Sequence, residues 1–474
     1  MEMRTVHFVG IGGVGMSWLA RLLLAEGWRV TGSDASQSPL VQKLQAEGAT
    51  IHIGHDAANV PPTADLVVYT AAARDTNPEL VEARRLGIRT IKRAEYLGEI
   101  MQSRRSVAIA GTHGKTTTSA MTGIALAHAG LDPTVMVGGE VPEFGSTLRL
   151  GKSDLLVVEA DEFDASFLRF NPAIAVVTNL EAEHLDFYGS FAKVIETFWQ
   201  FLASVPEDGH IIACADDPVL AGLVGAGWAT LPDGAPMPRP SLRTRSIISY
   251  GFAEGADWRA VNLSPNQSGG FDFTVQHRGQ PTGAFALAVP GRHNVSNTLA
   301  AIAVAGTLGV DVASLAPVLN AFQGVNRRFQ VLDDVGGVTV IDDYGHHPTE
   351  ARATLAAARA RYGNRRIWCV FQPHTYSRTK LLLPEFRDAF ADADKLTVTE
   401  IYAAREDPVW GITGSDLVAT LNHKDVAFSA SVAEAAVLVI EGVRPGDVVI
   451  AMGAGDIYTA SQSILAALRQ RHGA

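Results

Sequence analysis

The chain has 474 residues, 47% of them hydrophobic and 19% charged, and a formal net charge of -11 at pH 7. This describes a well-packed globular protein of about three domains, and the absence of any Lys/Arg-rich run or aromatic-basic alternation argues against a nucleic-acid partner. Cys214 and Cys369 are the only cysteines and show no CxxC or Cys/His spacing, so neither a disulfide scaffold nor a structural zinc is expected, and a reducing cytoplasm fits.

The first segment passes from Met1 almost directly into a strand-like run at residues 6–9, which leaves no room for a secretory leader. No segment reaches the about 20 uninterrupted apolar residues of a membrane span. Gly10, Gly12, Gly13 and Gly15 follow the strand and open an amphipathic helix, and Asp34 ends the next strand. A GxGxxG turn of this kind seats a diphosphate at a helix N-terminus, with the acid placed for a ribose hydroxyl. NAD and a UDP-sugar fit equally well on these grounds, and the glycines can also serve only to pack helix on strand. Strand and helix alternate through residues 65–70, 78–86 and 89–93, so residues 1–103 read as one small doubly wound unit.

A polar joint at residues 103–105 leads into SVAIAGTHGKTTT. An apolar strand at 107–110 runs into Gly111, Thr112, His113, Gly114, Lys115, Thr116 and Thr117, the pattern of a phosphate-binding loop opening a helix. Lys115 supplies positive charge to phosphate oxygens, and Thr116 Oγ1 is the natural ligand of a nucleotide-bound Mg²⁺. Ile109 stands where the usual motif has its first glycine, so the loop is a shortened variant. The strand at 155–159 ends in Glu159, Ala160, Asp161 and Glu162, a carboxylate cluster for which a divalent cation is the economical counter-charge, although a solvated acidic turn is the alternative. After the next strand, at 174–178, come Glu181, Glu183 and His184; in a parallel sheet these share an edge with Lys115 and Glu159. His184 there is a candidate metal ligand or a hydrogen-bonded structural histidine. Residues 104–325 form this second α/β unit, with an irregular Pro/Gly-rich insertion at 225–244. A third unit, 326–474, alternates again, with strands at 338–341, 367–371, 395–399 and 448–452.

Eight segments in order, GIGGVGMS, AGTHGKTTT, EADEFDASF, TNLEAEHLDFYGSF, GRHNVSNTLAA, NRRFQ, DDYGHHPTE and FQPHTYSRT, make the chain resemble the Mur ligases, ATP-dependent amide-forming enzymes of peptidoglycan synthesis, and within them the alanine-adding branch. The resemblance implies an α/β protein of three domains: an N-terminal Rossmann-like UDP-binding domain, a central P-loop ATPase-like domain and a C-terminal Rossmann-like domain for the amino acid. It implies ATP, Mg²⁺ as two ions, UDP-N-acetylmuramate and L-alanine as ligands, and a bacterial cytoplasmic location. By that likeness the UDP moiety sits at Gly10 to Gly15 and Asp34, Lys115 meets the ATP phosphates, Thr116 and Glu159 hold one Mg²⁺, and His184 the second. His293, Asn294 and Asn297 correspond to the adenine segment, a reading that competes with simple helix capping. Arg327 or Arg328, with Arg328 preferred, corresponds to an arginine that reaches the phosphates on closure. Asp343 corresponds to an orienting carboxylate, Tyr344 to a wall that admits alanine, His347 to a substrate contact, and Arg378 to the ligand of the alanine carboxylate.

Three positions depart from relatives. Thr375 stands where some carry Arg, Glu183 where Asp is frequent, and Phe198 where sister ligases use a carbamoylated lysine; Lys193 is not nominated in its place. A ligase that joins a ready-made tripeptide to the same UDP-sugar shares the motifs of the first two domains, but FQPHTYSRT and Tyr344 argue against it. An NAD-dependent oxidoreductase would have no use for GTHGKTTT, and a catalytically silent nucleotide binder would not need the acids and Lys115.

Overall fold

Three sheets, one per domain, organise the computed structural model, which describes residues 3–224, 242 and 245–473. The first sheet is fully parallel, in the order Thr50–Ile53, Arg29–Asp34, Thr5–Val9, Leu66–Tyr69, Arg89–Lys92. Its order reverses at Thr5–Val9, and a crevice at such a reversal is where α/β sheets bind ligands. The helix Val14–Ala25 starts there and buries Trp18, Leu19, Leu22 and Leu23.

The central sheet has ten strands among the described residues. Arg105–Ala110 lies between Ile174–Val177 and Leu155–Glu159, both parallel to it. The strand ends carrying Gly111, Thr178 and Glu159 therefore meet at one edge, as the sequence implies. Ile109 is buried in the strand, which explains the shortened loop: regular structure runs on to Ala110, and the turn is confined to Gly111–Gly114. Three strands unforeseen in the sequence, Trp258–Pro265, Phe271–His277 and Gln280–Ala286, extend the sheet as an antiparallel meander. The irregular segment expected at 225–244 lies outside the described residues except Leu242. The third sheet runs Gln330–Val335, Val338–Asp343, Val448–Met452, Ile367–Phe371, Lys395–Thr399, Val426–Ser429, antiparallel only in its first pair.

Phe198, on the helix Phe191–Ala203, is fully buried with its ring centre 5.0 Å from that of Phe167, which in turn stacks on Phe201 at 4.7 Å. A lysine there would lie in an aromatic core. Lys193 faces outward and pairs with Glu196 at 2.8 Å. Both free thiols, Cys214 and Cys369, are buried, and among the described residues no helix is long and apolar enough to cross a membrane. Phe198→Ala is expected to lower the unfolding free energy by about 3–5 kcal/mol, measured by denaturant titration; a change below about 1 kcal/mol would contradict this packing role.

Candidate active site

The phosphate loop is clasped by the neighbouring strand end. Thr112 N donates to Asn179 O (3.0 Å), His113 N to Asn179 Oδ1 (2.8 Å), Thr178 Oγ1 to His113 O (2.6 Å) and Glu181 N to Thr112 Oγ1 (2.9 Å). Two glycines make that approach possible. Gly111 has φ +129°, and a Cβ on it would fall 2.1 Å from Thr178 Oγ1; Gly114, φ +83°, would place one 2.6 Å from Asn297 Oδ1. Any other residue at either position meets both a strained backbone and a clash.

Lys115 curls back over its own loop. Its Nζ donates to Gly111 O at 2.7 Å and to Glu162 at 2.7 and 2.9 Å. Burial works against the ammonium, but the carboxylates of Glu162 and Asp161 outweigh it and hold the Lys115 pKa above its ordinary value. Thr116 Oγ1 donates to Glu159 Oε1 at 2.9 Å, and Gly138 N to the other Glu159 oxygen at 2.6 Å. His184 is not in that pair. It groups with Asp161 and Glu162, one ligand-capable atom from each lying within 4.8 Å of the others, and burial lowers its pKa, which favours the neutral ring. The expected metal residues thus divide into two sets, Thr116 with Glu159 and His184 with Asp161 and Glu162. The sequence marks the last two acids only as part of one cation-binding cluster with Glu159 and does not join them to His184.

A cavity of about 760 Å³ opens at the loop, lined by Gly114, Thr116, His293, Asn294, Asn297 and Arg328 among others. The capping alternative for the asparagines does not hold, because the helix Arg292–Thr307 starts at Gly291 with no side-chain cap. Their amides are engaged with protein instead: Asn294 Nδ2 donates to Pro290 O (2.7 Å), Asn297 Nδ2 to Asn294 Oδ1 (3.2 Å), and Asn297 Oδ1 accepts from Thr118 (3.2 Å). Burial drives the His293 pKa down to about 4, so its ring is neutral. Arg328 lines this cavity and lies 3.3 Å from Glu350. Arg327 turns into the third domain, towards Asp342 (3.3 Å) and Gly453 O (2.8 Å). The two guanidinium groups lie 5.0 Å from the Tyr344 ring centre, and together they fix its plane.

A second cavity, about 570 Å³, is lined by Glu183, His184, Tyr344, His374 and Arg378 among others. Here the structure divides the DDYGHHP segment, which the sequence assigns to one pocket. Tyr344 and Arg378 face this cavity. Asp343 faces the larger one, and its carboxylate accepts from Phe329 N (2.7 Å), Gly345 N (2.8 Å) and Thr354 Oγ1 (3.2 Å), so it anchors the strand end. His347 lines neither cavity wall; it caps the helix Pro348–Tyr362, accepting from Thr349 N. Arg378 holds Glu183 at 2.8 Å, which keeps that carboxyl well below its ordinary pKa against the effect of burial. Asp34 braces the first glycine turn: its carboxylate accepts from Gly12 N (2.8 Å) and Ser36 N (3.2 Å), one bond to each oxygen. A Cβ on Gly12 would strike that carboxylate at 2.9 Å, and one on Gly15 would meet Arg93 at 2.9 Å.

The central and third domains meet over the phosphate loop. Thr349 Oγ1 donates to Glu181 Oε2 at 2.7 Å, and His113 lies between Glu181 (3.5 Å) and Glu350 (3.4 Å). The sequence places Glu181 at the shared edge without a role and does not single out Glu350, although Glu350 stands three residues after His347, the spacing of the capping box it forms. Burial lowers the His113 pKa, but the neighbouring carboxylates of Glu181 and Glu350 prevail and raise it from 6.5 to about 9. Because the folded value is the higher one, this stabilisation is complete below about pH 6.5 and disappears as pH rises through about 9. The stability difference between wild type and His113→Gln, followed by denaturant titration from pH 6 to 10, is therefore expected to shrink with rising pH; a difference that grows would contradict the assignment.

Family models match almost the whole chain: "Mur ligase family, catalytic domain" over residues 5–105, "Mur ligase middle domain" over 109–231 and 234–305, and "Mur ligase, glutamate ligase domain" over 327–455. The UDP-N-acetylmuramate–L-alanine ligase of Salinibacter ruber is 44% identical, covering 100% of this chain and 96% of its own length. That of Caldanaerobacter subterraneus subsp. tengcongensis is 43% identical, with 98% of each chain covered. Among solved structures, a UDP-N-acetylmuramate-alanine ligase from Thermotoga maritima superposes with a TM-score of 0.79 at 29% identity, covering 98% of this chain and 99% of that one. A murein peptide ligase from Psychrobacter arcticus gives 0.71 at 28%, covering 98% of both. The three sheets, the clasped phosphate loop and these matches lead to one conclusion: the chain belongs to the Mur ligase family.

Proposed function

We propose that this Mur ligase, an ATP-dependent amide ligase, joins L-alanine to the lactyl carboxylate of UDP-N-acetylmuramate in the cytoplasmic synthesis of peptidoglycan precursors. The observation that carries the reading is the adjacency of two cavities at one sheet edge: a larger one at the phosphate loop and a smaller one walled by Tyr344 and Arg378. The first fits a nucleoside triphosphate, with the loop N–H groups and Arg328 around its phosphates. The second fits a small amino acid. The glycine turn at Gly10 to Gly15 opens the first-domain helix, where a diphosphate is favoured.

In the first step a lactyl carboxylate oxygen attacks the γ-phosphorus, the bond to the β–γ bridging oxygen breaks, and ADP leaves. In the second the alanine amine attacks the acyl carbon, the carbon–oxygen bond to phosphate breaks, phosphate leaves, and the amine loses its proton to solvent. Lys115 exchanges its contact with Glu162 for phosphate oxygens, and Arg328 adds a second charge from the third domain. The donor chemistry fits two Mg²⁺ ions, one at the oxygens of Thr116 and Glu159 and one at His184 with Asp161 and Glu162, the hard carboxylates being suited to it. When bound, such ions neutralise charge on the transferring phosphoryl group. Contacts of Thr349 and Glu350 with the central domain close the site against water, which would hydrolyse an acyl phosphate.

Tyr344, fixed between Arg327 and Arg328, favours a small acceptor over a tripeptide. Phosphate release is to be measured with UDP-N-acetylmuramate, ATP and either a panel of amino acids or the tripeptide. L-Alanine is expected to give the highest kcat/KM, and Lys115→Ala to release no ADP with any acceptor. Preference for the tripeptide, or an unimpaired Lys115→Ala, would overturn the reading.

A further inference from the structure

We propose that His113, Glu181 and His347 form a site for a late first-row divalent ion of the Zn²⁺ class, bridging the phosphate loop and the third domain. Glu181 Oε2 lies 3.5 Å from His113 Nε2 and 3.5 Å from His347 Nδ1. In a tetrahedral zinc site with metal–ligand bonds of about 2.0–2.2 Å, adjacent donor atoms stand about 3.3–3.5 Å apart, so two edges of the polyhedron are already set. One donor atom from each of the three residues lies within 4.8 Å of the others, which leaves only the edge between the imidazoles to shorten.

The surroundings also point to a cation. Glu181 Oε2 and His347 Nδ1 are both acceptors, the one from Thr349 Oγ1 and the other from Thr349 N, so neither supplies a proton to the other across their 3.5 Å separation. His113 Nε2, the donor atom facing Glu181, is buried without a hydrogen-bond partner among the described residues. The second nitrogen of His113, Nδ1, lies 3.4 Å from Glu350, the carboxylate–histidine arrangement that orients a metal-binding ring. An ion would compete with two contacts of its donor atoms, the 3.2 Å bond from Thr349 N to His347 Nδ1 and the 2.7 Å bond from Thr349 Oγ1 to Glu181 Oε2. Two imidazoles and one carboxylate select Zn²⁺, Co²⁺ or Ni²⁺ over Mg²⁺, unlike the oxygen-rich sets at Glu159 and Asp161. Because His113 and Glu181 belong to the central domain and His347 to the third, the ion ties the two together.

The test uses the full-length protein without nucleotide in excess Mg²⁺, with Co²⁺ as a spectroscopic probe and Zn²⁺ in calorimetric titration. One equivalent of Co²⁺ is expected to produce the intense visible bands of a four-coordinate ion, displaced by Zn²⁺. His347→Ala should abolish the bands, and Glu350→Gln should weaken Zn²⁺ binding about tenfold. His184→Ala, which alters only the other histidine–carboxylate group, should keep them. Absence of the bands in wild type, or their persistence in His347→Ala, overturns the proposal. If thermal unfolding shows that His347→Ala does not fold, Glu181→Gln decides: retained bands with unchanged Zn²⁺ affinity overturn it, and loss of either supports it.

Discussion

The site depends on the close seating of the phosphate loop on the Thr178–Glu181 strand end. Two positive-φ glycines permit it, and five hydrogen bonds hold it, Asn179 Nδ2 to His113 O among them. Once the loop is seated, the helix Lys115–His128 must start at Lys115, so the ammonium and the Thr116 hydroxyl arrive where Glu162 and Glu159 end their own segment. None of these side chains needs a private support. Parallel pairing of Arg105–Ala110 with both neighbouring strands brings all three loops to the same edge.

The same clasp connects the nucleotide loop to the third domain. Glu181 N holds Thr112 from one side, and the Glu181 carboxylate accepts from Thr349 on the other. Glu350 completes the circuit through His113 and Arg328 while capping its own helix. Burial of these charges is costly unless each is paired; Glu181 and Glu350 each have a partner in their own domain, His113 and Arg328, and the third domain over the loop adds the Glu350–His113 and Thr349–Glu181 contacts. Domain position and loop geometry are thus coupled through Glu181 and Glu350, two carboxylates.

Much of this arrangement was legible because it is local. The run from Arg105 to His128 announces strand, turn and helix by apolar continuity, glycine and hydroxyl placement, and the strands of the third domain are short buried runs of the same kind. What stayed hidden is tertiary. Thr349 and Glu181 are separated by 168 residues, and nothing in either segment names the other. The meander Trp258–Ala286 was unforeseen because its strands mix exposed polar and small residues with few buried ones. Asp343 and Tyr344 are sequence neighbours that face different cavities, because successive side chains at a strand end point to opposite sides. The motif marked the region correctly, and backbone geometry divided its roles. Likewise His347 and Asp34 stand at the expected edges, and the backbone N–H groups that each accepts are tertiary and local details that the motifs do not spell out.

The central claim is that these domains form a single centre in which a carboxylate receives the γ-phosphoryl group of ATP. The most direct measurement uses UDP-N-acetylmuramate carrying ¹⁸O in its lactyl carboxylate, turned over with ATP and L-alanine. The account predicts that one ¹⁸O atom per turnover appears in inorganic phosphate. Phosphate free of label, or label recovered in AMP, would contradict it.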